Sequence, residues 1–175
     1  MTSPSNLLIT FAVFAYNQEQ FIEEAVQSAL SQSYQPLEII LSDDCSSDKT
    51  FSIIEDVIAN YNGPHKVIVN RNKENLGLGE HVNLVGSMAN GALLVLAAGD
   101  DFSESVRTKK IFNAWLDAHC PISVIYSDFL PIDSSSRFAI NCSDKLYGNK
   151  IEIHDMARGL IRVLGATSAY SIEVF

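Results

Sequence analysis

Cysteine is scarce: Cys45, Cys120 and Cys142 are widely spaced, with no C-x-x-C pair and no histidine at zinc-finger distance. That pattern offers neither a disulfide framework nor a structural zinc site, and it fits a reducing compartment. Positive charge is also short, with 12 Lys and Arg against 21 Asp and Glu and a formal net charge of −9. Gripping a nucleic-acid backbone takes clustered Lys and Arg, so nucleic acid is not the expected partner. No apolar run approaches the roughly 20 residues that span a bilayer, and Met1 to Asn6 lacks the regions of a signal peptide. The expected setting is soluble and cytoplasmic, any membrane attachment coming through other regions or partners. Repeats and low-complexity segments are missing too.

What is present suits one globular domain over residues 1–175, with 47% hydrophobic residues and enough chain to bury about 70% of its unfolded surface. Strands and helices alternate, the pattern of an α/β domain with a mostly parallel sheet. Leu8 to Phe14 is a nearly continuous apolar run, as expected of a strand covered on both faces. Asn17 with Gln20 resembles a helix cap pair, and Phe21, Ile22, Ala25, Val26, Ala29 and Leu30 form a helical stripe that fades before Pro36. Leu37 to Leu41 predicts a second strand. Ile53, Ile54, Val57, Ile58 and Tyr61 mark a second helix, which Asn62-Gly63-Pro64 stops, and Val67 to Val69 a third strand. Asn75 to Gly79 reads as a glycine-containing loop, followed by helix through Met88. Ala92 to Ala98 predicts a fourth strand, Val106 to Ala118 a helix whose apolar stripe takes Trp115 into the core, and Ile122 to Tyr126 a strand. Beyond Asp128 the pattern loosens, with a loop at Ser134-Ser135-Ser136 and a helix over Ile153 to Leu164. The chain ends on the run Ala169 to Phe175 as if cut inside a longer domain.

In open α/β sheets, ligands bind outside the carboxyl ends of the strands, where strand order reverses. Three polar segments follow strand ends: Tyr16-Asn17, Asp43-Asp44 and Asp100-Asp101. The dinucleotide fingerprint G-x-G-x-x-G is missing after the first strand. A phosphorylated ligand approaching two acidic pairs would be repelled unless a hard cation such as Mg²⁺ or Mn²⁺ bridged carboxylate and phosphate oxygens.

Phe14-Ala15-Tyr16-Asn17, Ser28 to Tyr34, Glu38-Ile39-Ile40, Asp43 to Thr50, Asn75 to Gly79 and Gly99-Asp100-Asp101 resemble, in order, the landmarks of family 2 glycosyltransferases. The resemblance covers Leu8 to Ser127, and more faintly Gly165 to Phe175. It implies a GT-A fold, a Rossmann-like three-layer sandwich, with residues 7–128 binding the nucleotide sugar and 129–175 opening an acceptor-side part. It also implies inverting transfer from a nucleoside diphosphate sugar to a saccharide or lipid-linked acceptor, as in polysaccharide biosynthesis. Residue by residue, Tyr16 with Ala15 would border the base, Asp44 would accept from base or ribose, Asp100 would lie near ribose or sugar, Asn83 would contact the substrate, and Asp101 would ligate Mg²⁺ or Mn²⁺.

Departures from the family pattern are informative. Many relatives carry Asp-x-Asp-Asp where this chain has Ala98-Gly99-Asp100-Asp101, so the first carboxylate is missing. Val82 stands where a basic residue often precedes the position of Asn83. The general base that takes the acceptor proton usually comes from an acidic motif further on. Asp128, Asp133 and Asp155 do not match it, so the expectation is a donor binder with little transferase activity on its own.

Simpler readings compete. Asp43-Asp44 alone could be a turn and cap cluster, with Asp43 its structural member, and Tyr16 alone would be a core aromatic. Gly77 and Gly79 read as a backbone turn rather than a phosphate loop. His65, His81, His119 and His154 read as solvent-facing or hydrogen-bonded, although His81 could face the donor. The competing functions are a nucleotidyltransferase, whose glycine-rich basic signature Phe14 to Gln18 lacks, and a binding or regulatory module without transferase activity.

Overall fold

The protein is described from a computed structural model, which defines residues 7–117, 124–127 and 168–171. The expected helix over 153–164, the loop at 134–136, Cys120, Cys142, His119, His154, Asp128, Asp133 and Asp155 lie outside the described residues. Four strands are parallel: β1 (Ile9–Ala15), β2 (Leu37–Asp43), β3 (Lys66–Arg71) and β4 (Leu93–Ala98). β5 (Val124–Tyr126) and β6 (Ser168–Ser171) complete the sheet in the order β3-β2-β1-β4-β6-β5, with β6 antiparallel to both neighbours.

Every residue of β1 and β2 is buried, which is why both read as apolar runs rather than alternating patterns. Alternate side chains serve opposite faces. Phe11, Val13 and Ala15 join Ile39, Leu41, Val95 and Ala97 in a cluster with Ile22, Ala25, Val26 and Ala29 of α1 (Ile22–Leu30), Ile54 of α2 (Thr50–Ala59), and Ile111 and Phe112 of α4 (Arg107–Asp117). Ala12, Phe14, Ile40, Leu94 and Leu96 pack on the other face against Val85 of α3 (Gly77–Met88). Helices on both faces make the expected three-layer sandwich. Trp115 packs against the larger cluster, as its place in the stripe predicted.

At the opposite edge from the loops discussed below, the fully buried Glu38 carboxylate fastens the sheet. It accepts from Thr10 Oγ1 at 3.2 Å, Lys66 Nζ at 2.9 Å and Asn90 N at 3.0 Å. Gly91 follows because a Cβ there would run into the backbone of Ile9 and Thr10.

Two local expectations are corrected. Asn17 does not cap α1, whose first residue is Ile22 and which has no side-chain cap. Asn17 instead takes φ +51°, a left-handed conformation that asparagine tolerates, and its side chain serves a neighbouring loop. The segment Gly77 to Gly79 is the first turn of α3 rather than loop.

Candidate functional site

Strand order reverses between β1 and β4, because β2 and β3 extend to one side of β1 while β4 pairs on the other. The three polar segments meet at this switch point and are joined through the backbone. Asp44 N donates to Ala15 O at 2.8 Å, and Gly99 N donates to Phe14 O at 2.8 Å. A Cβ on Gly99 would lie 2.5 Å from Gln18 Oε1 and 3.0 Å from Ile22 Cδ1, so a larger residue there would push the ends of those two side chains aside.

The polar run after β2 is spent on fastening the loop after β1. Asn17 N donates to Ser46 Oγ at 2.8 Å, Gln18 N to Thr50 Oγ1 at 2.7 Å and Glu19 N to Asp48 Oδ2 at 3.1 Å. Asn17 Oδ1 accepts from Ser47 N at 2.9 Å. The loop carrying Ala15 and Tyr16 is therefore held in place before any ligand arrives. Ala15 is buried, whereas Tyr16 is 48% exposed. The simpler reading of Tyr16 as a core aromatic is thereby excluded, and its ring is available to a ligand.

The two acids after β2 have different tasks. Asp43 is buried in the last strand position, where it accepts from Ser46 N at 2.9 Å and from Ser46 Oγ and pairs with Arg71 Nε at 3.5 Å. Asp44 Oδ1 accepts from Asn72 Nδ2 at 2.7 Å and Leu76 N at 2.9 Å, and Oδ2 accepts from Gly77 N at 2.9 Å. A carboxylate has about four acceptor positions, and Asp44, only 3% exposed, has one that none of these three donors fills. It also satisfies orphan amides at the start of α3, where Gly77 at φ +76° turns its N–H toward the acid. Burial works against ionisation of Asp44, but Asn72, Leu76, nearby His81 and Gly77 outweigh it and hold its carboxyl below the ordinary range.

Asp100 and Asp101 leave the end of β4 side by side and exposed. Partial burial, then the neighbouring Asp100 carboxylate, raises the Asp101 pKa, and the Arg107 guanidinium acts against the rise. Sequence reasoning missed Arg107, which reads as an ordinary basic residue at a helix start. Its guanidinium donates to Leu96 O at 2.8 Å, Ser103 Oγ at 3.1 Å and Ser127 Oγ at 3.2 Å, and lies 5.7 Å from the centre of the Phe11 ring. Burial lowers its pKa to about 10, with Asp101 opposing, so it remains a cation within electrostatic reach of Asp101 at neutral pH. Gln32 was a landmark without a task. Its amide donates to Glu104 O at 2.8 Å and accepts from Thr108 N at 3.0 Å and Thr108 Oγ1 at 2.7 Å, while Ser28 Oγ accepts from Ser103 N at 3.1 Å. The end of α1 thus anchors the chain just beyond Asp101.

Among the described residues, no group of three or more His, Cys, Asp or Glu side chains is placed to hold a metal ion. Two adjacent carboxylates nonetheless suit a Mg²⁺-type cation, which is commonly held by one or two carboxylates together with substrate phosphates and water. Burial is the larger cause of the raised Asp101 pKa, and the smaller contribution from Asp100 is a repulsion that a cation would relieve.

The remaining expectations divide. Asn83 is exposed on α3, about 200° around the helix from His81 and Val85, which face the sheet. The structure does not bring it to the crevice with the other nominated residues. His81 is buried and hydrogen-bonded through Nε2 to Ser42 Oγ at 2.7 Å, and His65 is buried with Nε2 2.8 Å from Gln32 O. Both take the hydrogen-bonded alternative rather than the solvent-facing one. Among the described residues no helix is long and apolar enough to cross a membrane.

Comparison with known proteins agrees with this geometry. The family described as Glycosyl transferase family 2 matches residues 10–162. EpsE of Bacillus subtilis (strain 168), a protein named as a glycosyltransferase, is 36% identical over 118 residues, which cover 67% of this chain and 41% of that protein. Abequosyltransferase RfbV of Salmonella typhimurium is 30% identical over 148 residues, covering 81% of this chain and 44% of RfbV. This chain thus spans less than half the length of either relative. Among solved structures, S. aureus TarS 1–349 in complex with UDP-GlcNAc superposes with a TM-score of 0.70 at 19% identity, over 96% of this chain and 46% of that one. Mannosyltransferase PcManGT from Pyrobaculum calidifontis, in complex with GDP-Man and Mn2+, gives 0.61 at 21% identity, over 71% of this chain and 36% of that one. These two likenesses carry the GT-A fold, and the family match carries membership: the chain belongs to glycosyl transferase family 2.

Proposed function

We propose that the crevice between β1 and β4 binds a nucleoside diphosphate sugar, and that the protein to which this chain belongs transfers the sugar, with inversion, to a saccharide or lipid-linked acceptor hydroxyl. The observation that carries the reading is the meeting of exposed Tyr16, Asp44 with one acceptor position left, and the Asp100-Asp101 pair at one switch point. Tyr16 offers a face on which a base can stack. Asp44 suits a single donor, a base N–H or a ribose hydroxyl. Asp100 lies toward ribose or sugar, and Asp101 with the diphosphate holds Mg²⁺ or Mn²⁺. When bound, that ion supplies Lewis-acid stabilisation of the charge gathering on the departing diphosphate. Arg107 adds fixed positive charge within electrostatic reach of Asp101.

On this reading residues 7–128 are the donor-binding part. The four crevice carboxylates are already committed, Asp43 to the loops, Asp44 to the loops and the nucleoside, and Asp100 and Asp101 to donor and cation, so none serves as general base. The chain alone is expected to bind donor and turn over slowly. Polysaccharide assembly fits the saccharide acceptor, and the alternative is a nucleotide-sugar-binding module without transfer.

Calorimetric titration with UDP and GDP, in Mn²⁺ and again in EDTA, tests the site. Binding that needs Mn²⁺ and is lost in Asp101→Ala is the expected result. Undiminished Mn²⁺-dependent binding in that variant would overturn the assignment.

A further inference from the structure

His81 is buried, lies outside the crevice and has no part in the reading above, yet it ends a continuous hydrogen-bonded chain that starts at Asp44. Asn72 Nδ2 is 2.7 Å from Asp44 Oδ1, Asn70 Nδ2 is 2.9 Å from Asn72 Oδ1, Asn70 Nδ2 is also 2.9 Å from Ser42 Oγ, and Ser42 Oγ is 2.7 Å from His81 Nε2. The direction of each link as far as Ser42 follows from the ionised acid. Asp44 only accepts, so Asn72 must present its amide N–H₂ to it and its carbonyl oxygen to Asn70. Asn70 must then spend one amide hydrogen on Asn72 and the other on Ser42. Ser42 Oγ accepts that hydrogen, and the arrangement that carries the chain onward gives its hydroxyl proton to His81 Nε2, 2.7 Å away. That arrangement makes the histidine an acceptor with its proton on Nδ1, and its neutrality agrees with a pKa that burial lowers against the pull of Asp44 and Asp43. Its ring is kept in place by packing edge-on to Phe14, with centroids 5.1 Å apart at 79°.

We propose that His81 is a positioning residue for the donor nucleoside: acting through Ser42, Asn70 and Asn72, it fixes the orientation of the Asp44 carboxylate and hence of its one unused acceptor position. The proposal rests on the reading that Asp44 meets the nucleoside. Three elements converge on the chain, β2 through Ser42, β3 through Asn70 and α3 through His81, so a local packing role for any one side chain does not account for its continuity. Without the acceptor at position 81, the Ser42 proton has no partner in the chain. The hydroxyl then reorients, and each amide behind it gains a second arrangement.

The test is calorimetry on the whole 175-residue chain with UDP and GDP in Mn²⁺, and separately with pyrophosphate in Mn²⁺, which reports on Asp100 and Asp101 without a nucleoside. His81→Phe keeps an aromatic ring against Phe14 but removes the acceptor, His81→Gln restores an acceptor, Ser42→Ala cuts the next link, and Asp44→Asn examines the underlying reading. Loss of one link is expected to weaken nucleotide binding about three- to tenfold in His81→Phe and Ser42→Ala, with pyrophosphate binding unchanged. His81→Gln should recover most of the loss, and His81→Phe should add little in an Asp44→Asn background. If Asp44→Asn weakens nucleotide binding while Ser42→Ala and a folded His81→Phe bind as the parent does, the inference is overturned and the site stands. Equal weakening of nucleotide and pyrophosphate would reduce His81 to a structural role and overturn it as well. No effect of Asp44→Asn, or no nucleotide binding by the parent chain, would overturn the reading of the site and the inference with it.

Discussion

Gln32 gives the sharpest check on how the acidic loop is held, because replacing it with methionine keeps most of its volume and removes its polar atoms. The side chain is only 3% exposed, and Thr108, which donates to it from both N and Oγ1, is fully buried. In Gln32→Met those two donors lose their shared acceptor where water does not reach, and Glu104 O loses a donor. Each stranded buried group costs about 1–3 kcal/mol, although the carbonyl of exposed Glu104 recruits water and the thioether recovers some apolar burial. The net loss comes to about 2–4 kcal/mol, and at about 2–4 °C per kcal/mol for a chain of this size the melting temperature should fall by about 5–15 °C. Thermal unfolding followed by circular dichroism reads this directly. Gln27→Met is the control: Gln27 lies on the same helix but is exposed, and its one side-chain bond is to Glu23 at 3.1 Å, so its melting point should move by less than about 2 °C. A melting temperature for Gln32→Met within about 2 °C of the parent would refute the claim that this amide holds the start of α4.

Gly91→Ala should abolish folding or cost more than the ~1–3 kcal/mol of ordinary overpacking, because the added Cβ meets backbone of Ile9 and Thr10 that cannot move aside; a cooperative melt near that of the parent would contradict this. Acid should unfold the protein through Glu38, Asp44 and Asp48, where burial opposes ionisation but hydrogen bonds, from Lys66 and Asn90 for Glu38, outweigh it and depress the pKa. A depressed carboxyl contributes stability above its unfolded pKa, 4.5 for Glu38, and loses it as pH falls through the folded value, so melting temperatures should drop below that point. Asp101 has the opposite sign and offsets part of the loss, and a flat melting profile between about pH 3 and about pH 6 would count against these bonds. The raised Asp101 carboxyl also means that Mn²⁺-dependent nucleotide affinity should begin to weaken, on acidification, at a higher pH than an unperturbed aspartate would allow, which titrations across pH would show.

Features whose physical cause is local could be read from the chain alone. Strands covered on both faces are mainly apolar, so β1, β2 and β4 were legible as runs, and α1 and α4 showed their single buried face as a stripe. Two acidic pairs at strand ends pointed to one crevice because a parallel sheet sends its strand ends to one edge. Which polar residues fasten the loops and which keep bonding capacity unused became visible in the tertiary arrangement alone. Asp43 and Asp44 are adjacent and chemically alike, yet one is consumed by Ser46 and Arg71 while the other keeps an acceptor position. Arg107, Gln32 and His81 carry no local signal, since their partners Leu96, Thr108 and Ser42 belong to other elements, β4, α4 and β2. Asn17 looked like a cap and Gly77 like loop because sequence records a residue's tolerance for a backbone shape, whereas the bond that uses the shape comes from a distant loop. The insertion of antiparallel β6 between β4 and β5 was likewise beyond local reading, for pairing across the chain is settled by which edges remain free once the parallel core has formed.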